Sequence, residues 1–305
     1  MTRRIRLGTR GSPLALTQSK MVAAALEQAH GWARGTVEIV ILKTSGDRIQ
    51  DRPLAEIGGK AVWTKELDRA LLAGETDISV HSMKDVESER PDGLGIAAML
   101  ERADRRDRLI GADTLSALPK GAIVGTSSPR RAAQLRYVRP DLEITLLRGN
   151  VATRLAAVEE GRVDATLLAA AGLDRLGHET IGRAIETNQM LPAPAQGAIG
   201  IDARADDAQM RDWLAAIDHR ATHQEVLAER AFVLELGGDC HSPVAASARF
   251  EGERIHLSAA LYDEEGTSRV AGDCRMDPDD VRPARQLADT LLAEAAPSIR
   301  RLFAR

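Results

Sequence analysis

Two stretches of the chain share one local plan. Leu7-Gly8-Thr9-Arg10-Gly11-Ser12-Pro13 and Ile123-Val124-Gly125-Thr126-Ser127-Ser128-Pro129 each read as an apolar strand, a Gly-Thr turn and a helix opening on Ser-Pro. Serine suits the N-cap because its hydroxyl accepts a free backbone N–H of the first turn. Proline suits the first helical position, where no N–H is needed. A strand that feeds a helix in this way opens a βα unit, and two such openings predict two similar α/β lobes. Helix N-termini attract anions through their free N–H groups and the helix dipole, so each lobe is expected to aim one at a shared cleft.

The surrounding pattern supports this plan. Strands are expected at Ile5–Gly8, Val37–Leu42 and up to Asp85, with helices from Ser12-Pro13 to about His30 and from about Lys60 to Ala73. The second series continues with a strand at Leu142–Leu147, a helix from about Val151 to Glu160 and a strand at Ala165–Ala169. Pro192, Pro194, Gln196 and Gly197 break the pattern and mark a crossing back between lobes, with Gln196 at the hinge. Helical periodicity returns from Asp207 to about Glu235. Beyond Cys240, three antiparallel strands (Val244–Phe250, Ile255–Tyr262, Ser268–Met276) and a helix from about Val281 predict a smaller C-terminal α+β domain. The expected boundaries are 1–98 with 196–216 for the first lobe, 99–195 for the second and 217–305 for the third domain.

Composition narrows the function. A formal net charge of −4 over 305 residues gives no global field for nucleic acid or an anionic membrane. Any anion must therefore be recognised by local arginines. Cys240 and Cys274 make neither a disulfide framework nor a zinc site, and the 7 histidines show no metal-ligand spacing, so no metal is expected. The N-terminus enters a strand without the apolar core of an export signal, and no apolar run is long enough to span a bilayer. The expectation is a soluble cytoplasmic protein with reduced thiols.

Arginines gather at the ends of elements. Arg10 precedes the first helix, Arg130 and Arg131 follow Ser128-Pro129, Arg148 closes a strand, Arg154 lies in the next first turn, and Arg175 follows Ala169–Asp174. The dipole disfavours cations near a helix N-terminus, so repeated placement there calls for a ligand. The guanidinium fork binds carboxylates or phosphates in bidentate fashion. Singly, each arginine is better read as surface charge worth about 0–1 kcal/mol; together they point to a polyanion. Arg130 and Arg131 point about 100° apart on a helix, so one of them is expected to be structural. Val80-His81-Ser82-Met83-Lys84-Asp85 ends a strand in two opposite charges, at the sheet edge where open α/β folds build their sites. Cys240 sits in the polar loop Leu236–Pro243, where a thiol can act as nucleophile or covalent anchor. Cys274, in a strand-like run, reads as structural or incidental.

These motifs, in this order, resemble the porphobilinogen deaminase (hydroxymethylbilane synthase) family over essentially the whole chain. The matching stretches are Gly8–Leu16, Gly58-Gly59-Lys60, Val80–Asp85, Gly125–Arg131, Leu147–Asn150 with Thr153-Arg154, Gln196-Gly197-Ala198 and the Cys240 loop. The resemblance implies two similar lobes resembling type II periplasmic binding proteins plus the smaller C-terminal domain, in a monomer. It also implies a dipyrromethane cofactor joined to Cys240 by a thioether. Four porphobilinogen molecules are then added head to tail with loss of ammonia, and linear hydroxymethylbilane is released by hydrolysis. On that resemblance Asp85 hydrogen-bonds the pyrrole N–H and stabilises the cationic azafulvene formed from the substrate. Arg10, Ser12, Lys84, Ser128, Arg130, Arg131, Arg148, Arg154 and Arg175 hold the acetates and propionates. Lys60 and Trp63 belong to a loop over the cleft.

Two positions depart from the family pattern. Asp239 stands where a glycine is usual, and a carboxylate there tends to raise the Cys240 thiol pKa and slow attachment. Trp63 replaces a phenylalanine; stacking on a pyrrole and core packing are equal alternatives. The residues alone also admit a two-lobed binding protein that captures an organic polyanion without catalysis. Against it stand the missing export signal, the loop cysteine and Asp85 among cations. A nucleotide-binding transferase lacks its P-loop or dinucleotide fingerprint.

Overall fold

A computed structural model describes residues 4–43, 64–238 and 242–303. The chain opens with β1 (Ile5–Arg10), α1 (Pro13–Ala29), β2 (Val37–Leu42), α2 (Lys65–Leu72) and β3 (Ile78–Ser82). A 3-10 turn at Met83–Asp85 leads on to β4 (Leu94–Met99), then β5 (Asp107–Ile110) and β6 (Ile123–Thr126). Next come α3 (Pro129–Val138), β7 (Glu143–Leu146), α4 (Val151–Glu159), β8 (Ala165–Ala169), α5 (Ala170–Arg175) and β9 (Arg183–Ala184). β10 (Ile199–Arg204) is followed by α6 (Ala208–Ala215) and α7 (Arg220–Leu236). The chain closes with β11 (Val244–Glu251), β12 (Arg254–Tyr262), β13 (Arg269–Met276), α8 (Arg282–Glu294) and α9 (Pro297–Arg300).

The chain forms two compact units, Met1–Ala103 with Ala198–His223, and Asp104–Gly197 with Gln224–Arg305. The first holds a sheet of order β2-β1-β3-β10-β4 and the second a sheet of order β7-β6-β8-β5-β9. The two orders follow one plan. The first strand of each series lies between, and parallel to, the second and third. The fourth place is taken by an antiparallel strand from outside the series: β10 returns to the first sheet, and β5 precedes the second. The architecture is mixed α/β, completed by the smaller antiparallel sheet β11-β12-β13.

Both Ser-Pro helix starts form as capped N-termini. Ser12 Oγ accepts the Ala15 N–H at 3.3 Å and Ser128 Oγ accepts the Arg131 N–H at 3.4 Å. α1 lays Val22, Ala23 and Leu26 on Leu7, Ile78, Val80 and Ile201 of its sheet. Burying a valine, leucine or isoleucine side chain stabilises by about 1.5–3 kcal/mol. The second sheet packs Val124, Leu109 and Leu167 against Leu135 of α3. A third core joins Phe232 of α7, Ile255 and Leu257 of β12, and Leu287 and Leu291 of α8.

Three differences from the sequence reading have local causes. The strand expected to reach Asp85 stops at Ser82, because Met83 N–H turns to the Ala198 carbonyl at 3.1 Å. The helical stretch expected over Asp207–Glu235 is two helices, interrupted where the His219 N–H donates to Met99 O at 2.7 Å and Asp218 Oδ1 accepts the Met99 N–H at 2.8 Å. The final helix breaks at Ala295-Ala296-Pro297, where the backbone turns extended before proline, as pre-proline sterics favour.

Candidate functional site

In the first unit, the end of β3 and the start of α1 enclose a small cavity of about 60 Å³. Its walls include Asp85, Arg10, Ser12, Gln18, His81 and Ser82. Asp85 is half-buried there, on the same wall set as two of the predicted ligand-holding residues, Arg10 and Ser12. The turn that carries Asp85 is anchored through its first residue. Met83 is buried, and its sulfur lies where a Cβ on Gly200 would stand, 2.0 Å away. Only glycine at that point of β10 leaves room for the Met83 side chain as it is seated. Ser82 is held from the other side by Gln18, whose Nε2 donates to Ser82 Oγ at 2.8 Å. Lys84, half-buried, sits on the same turn.

Behind this cavity lies a buried charge cluster that the sequence did not reveal. Asp68 of α2, His81 of β3 and Asp202 of β10 bring their ligand atoms within 4.8 Å of one another. The cluster has its own cation: Arg90 Nη2 lies 2.7 Å from Asp202 Oδ2 and donates to Asp68 Oδ1. His81 Nε2 is 3.4 Å from the same Asp202 oxygen. Burial pushes the Asp202 carboxyl up, but His81 and Arg90 outweigh it and hold it below the ordinary 3.8. A clue was present in the sequence as a lone acid within the apolar run Ile199-Gly200-Ile201-Asp202-Ala203.

In the second unit, Arg130 and Arg131 converge on one buried acid. Arg130 Nη2 donates to Asp107 Oδ2 at 2.8 Å and Arg131 Nη2 donates to Asp107 Oδ1 at 2.7 Å. Their Nη1 atoms donate to Leu191 O at 2.7 Å and Leu167 O at 2.9 Å. The expected divergence of adjacent helix positions is overcome by the length of the side chains, which curl to a common point on β5. Burial pushes Asp107 up, yet the two guanidiniums hold it well below the usual carboxylate range. Arg130 is lowered by burial and by Arg131, against the pull of Asp107. Gln196, placed by sequence at the hinge, donates from Nε2 to Asp107 Oδ1 at 2.9 Å and to Arg105 O at 2.8 Å.

The other arginines stand nearer the surface. Arg154 donates from Nη2 to Ser127 Oγ at 3.0 Å and from Nε to Gly149 O at 3.1 Å. Gly149 takes a φ of 108°, and a Cβ there would meet Thr153 at 2.7 Å, so the Arg148-Gly149-Asn150 turn requires glycine. Asn150 then caps α4 by accepting the Thr153 N–H at 2.9 Å. Arg148 is half-buried beside that turn, and Ser128, also half-buried, serves as the α3 cap. Arg175 donates from Nη2 to Gly197 O at 2.7 Å, and burial lowers it to about 10 despite Asp174.

Cys240, Lys60, Trp63 and Asp239 lie outside the described residues. Cys274 does not compete as a nucleophile: burial, with Asp273 beside it, pushes its thiol up to about 11. The donor set fits a group bearing several carboxylates. The Nε atoms of Arg130, Arg131 and Arg175 are buried without a hydrogen-bond partner among the described residues, so these cations are not fully satisfied within the protein.

Comparison with known proteins gives consistent matches. Residues 5–212 match the family model for porphobilinogen deaminase, dipyromethane cofactor binding domain. Residues 223–296 match that for porphobilinogen deaminase, C-terminal domain. A porphobilinogen deaminase of Sphingopyxis alaskensis is 57% identical over 98% of this chain and 96% of its own. One of Paracoccus denitrificans is 49% identical over 88% of this chain and 87% of its own. Among solved structures, the methionine binding protein MetQ aligns with a TM-score of 0.45 at 12% identity, over 76% of this chain and 94% of that one.

Proposed function

Because the chain belongs to the porphobilinogen deaminase family and carries its dipyrromethane-binding domain, we propose that it is the transferase that condenses four porphobilinogens into hydroxymethylbilane. The observation that carries the mechanism is the half-buried Asp85 sharing one small cavity with Arg10 and Ser12. When bound, a dipyrromethane on the Cys240 sulfur supplies the pyrrole end to which substrate is joined; the proposed link is a thioether.

Asp85 would accept the substrate's pyrrole N–H and face the positive charge that develops as ammonia departs. A carboxylate fixed before the reaction stabilises such charge with little reorganisation. The same group can take the proton lost on rearomatisation. Met83, packed on Gly200 and tied through its N–H to Ala198 O, begins the turn that carries Asp85. Arg10, Ser12 and Lys84 on the first unit, and Ser128, Arg130, Arg131, Arg148, Arg154 and Arg175 on the second, are proposed to hold ring carboxylates. No helix among the described residues is long and apolar enough to cross a membrane. That is compatible with the proposed cytoplasmic, monomeric enzyme.

Asp85→Asn tests the assignment, since it removes the charge and keeps the shape. Porphobilinogen consumption should fall by at least about 10²-fold, while circular dichroism and intact mass stay those of the parent holoprotein. Parental turnover by that variant would remove Asp85 from the mechanism.

A further inference from the structure

The ion cluster of the second unit is out of balance. Asp107, Arg130 and Arg131 are only 1%, 3% and 5% exposed, and one carboxylate faces two guanidiniums. Among the described residues no second carboxylate pairs with either arginine. A structural pair such as Arg6 with Asp77, joined at 2.9 Å, matches its charges one to one. Excess buried charge is costly unless something neutralises it. Both guanidiniums also keep a buried Nε without a partner among the described residues. Arg175, tied to Gly197 on the crossover segment, shows the same unpartnered Nε.

Asp107 has one more donor, the Gln196 amide, which comes from that same segment. The backbone there is constrained: Ala195 holds a φ of 60°, uncommon for a residue with a Cβ, and Glu229 Oε2 accepts its N–H. Asp107 is thus fixed on β5 by its strand, by two arginines and by the crossover. Its position in turn decides where both guanidiniums stand.

We propose that Asp107 is a positioning residue for anion recognition: it yokes Arg130 and Arg131 into one cation whose surplus charge is completed by a carboxylate of the bound pyrroles. The proposal rests on the function proposed above. Asp107 itself does not touch the ligand. Its role is to hold two flexible side chains ready, so that their ordering does not have to occur on binding.

The test compares melting temperatures of the cofactor-loaded chain and of its adduct-free Cys240→Ala form, each with and without Asp107→Asn. In the parent, loading raises the melting temperature. A positioning role predicts that Asp107→Asn at least halves this gap, or yields a folded chain whose intact mass shows no adduct. If both forms lose stability equally and the gap is preserved, Asp107 is a structural ion pair and the proposal fails. If the parent itself carries no adduct by mass even after incubation with porphobilinogen, the functional reading fails first and takes the proposal with it. Should Asp107→Asn not fold, Gln196→Met removes one donor to Asp107 and keeps the two ion pairs. A smaller narrowing of the gap is expected there, and an unchanged gap would overturn the proposal.

Discussion

The two units build the same sheet order around opposite ionic centres. In the first, one guanidinium, Arg90, serves two buried carboxylates, Asp68 and Asp202, with His81 beside Asp202. In the second, one buried carboxylate, Asp107, serves two guanidiniums. The first cluster lies behind the cavity wall that includes His81 and Asp85, where positive charge is proposed to develop. The second sits under the helix start that is proposed to meet substrate carboxylates. A shared strand plan therefore fixes where side chains can stand, while the buried ionic groups it carries differ between the units.

Breaking the first centre should have the largest effect. Arg90→Met leaves Asp68 and Asp202 buried together and should lower stability by about 3–5 kcal/mol, read from urea unfolding. Asp68→Asn in the same background should restore part of it if the surplus negative charge is the cause. Next comes geometry. A Cβ on Gly200 would stand 2.0 Å from the Met83 sulfur, so Gly200→Ala must displace the Met83 side chain beneath the turn that carries Asp85. Turnover should fall by up to about 10²-fold, as a displacement of about 1 Å can cause. An unchanged kcat would show that Asp85 does not depend on that anchor.

A pH series sharpens the comparison, because Asp202 and Asp107 are both held below the ordinary 3.8. Groups with depressed folded pKa values contribute stability that is present above the unfolded value and lost as pH falls through the folded one. The urea midpoint should therefore decline below about pH 4, and Asp202→Asn should flatten part of that decline. The smallest effect belongs to the surface. Arg69 and Glu75 form an exposed pair at 2.6 Å, and Glu75→Gln should leave the urea midpoint where it is.

Features that depend on neighbours in sequence were legible in advance. Ser12 and Ser128 cap their helices, and the strands Val37–Leu42 and Ala165–Ala169 lie where their apolar runs placed them. Features that depend on distant partners were hidden. β5 reads as a charge run, Arg105-Arg106-Asp107-Arg108, until its antiparallel pairing with β8 buries Asp107. β10 falls in the segment 196–216 assigned to the first lobe but was not read as a strand, yet it fills the fourth place of the first sheet and carries both Gly200 and Asp202. The convergence of Arg130 and Arg131 could not be read from helix geometry, because it is set by an acid 23 and 24 residues away on another strand. Asp85, Arg10 and Ser12 were nominated by motif, and the fold brings them to one cavity.

The most direct measurement is the intact mass of the purified protein beside that of Cys240→Ser. The account predicts a parent heavier than its polypeptide by one dipyrromethane and a variant at the bare polypeptide mass. A parent that stays at the polypeptide mass after incubation with porphobilinogen would contradict it.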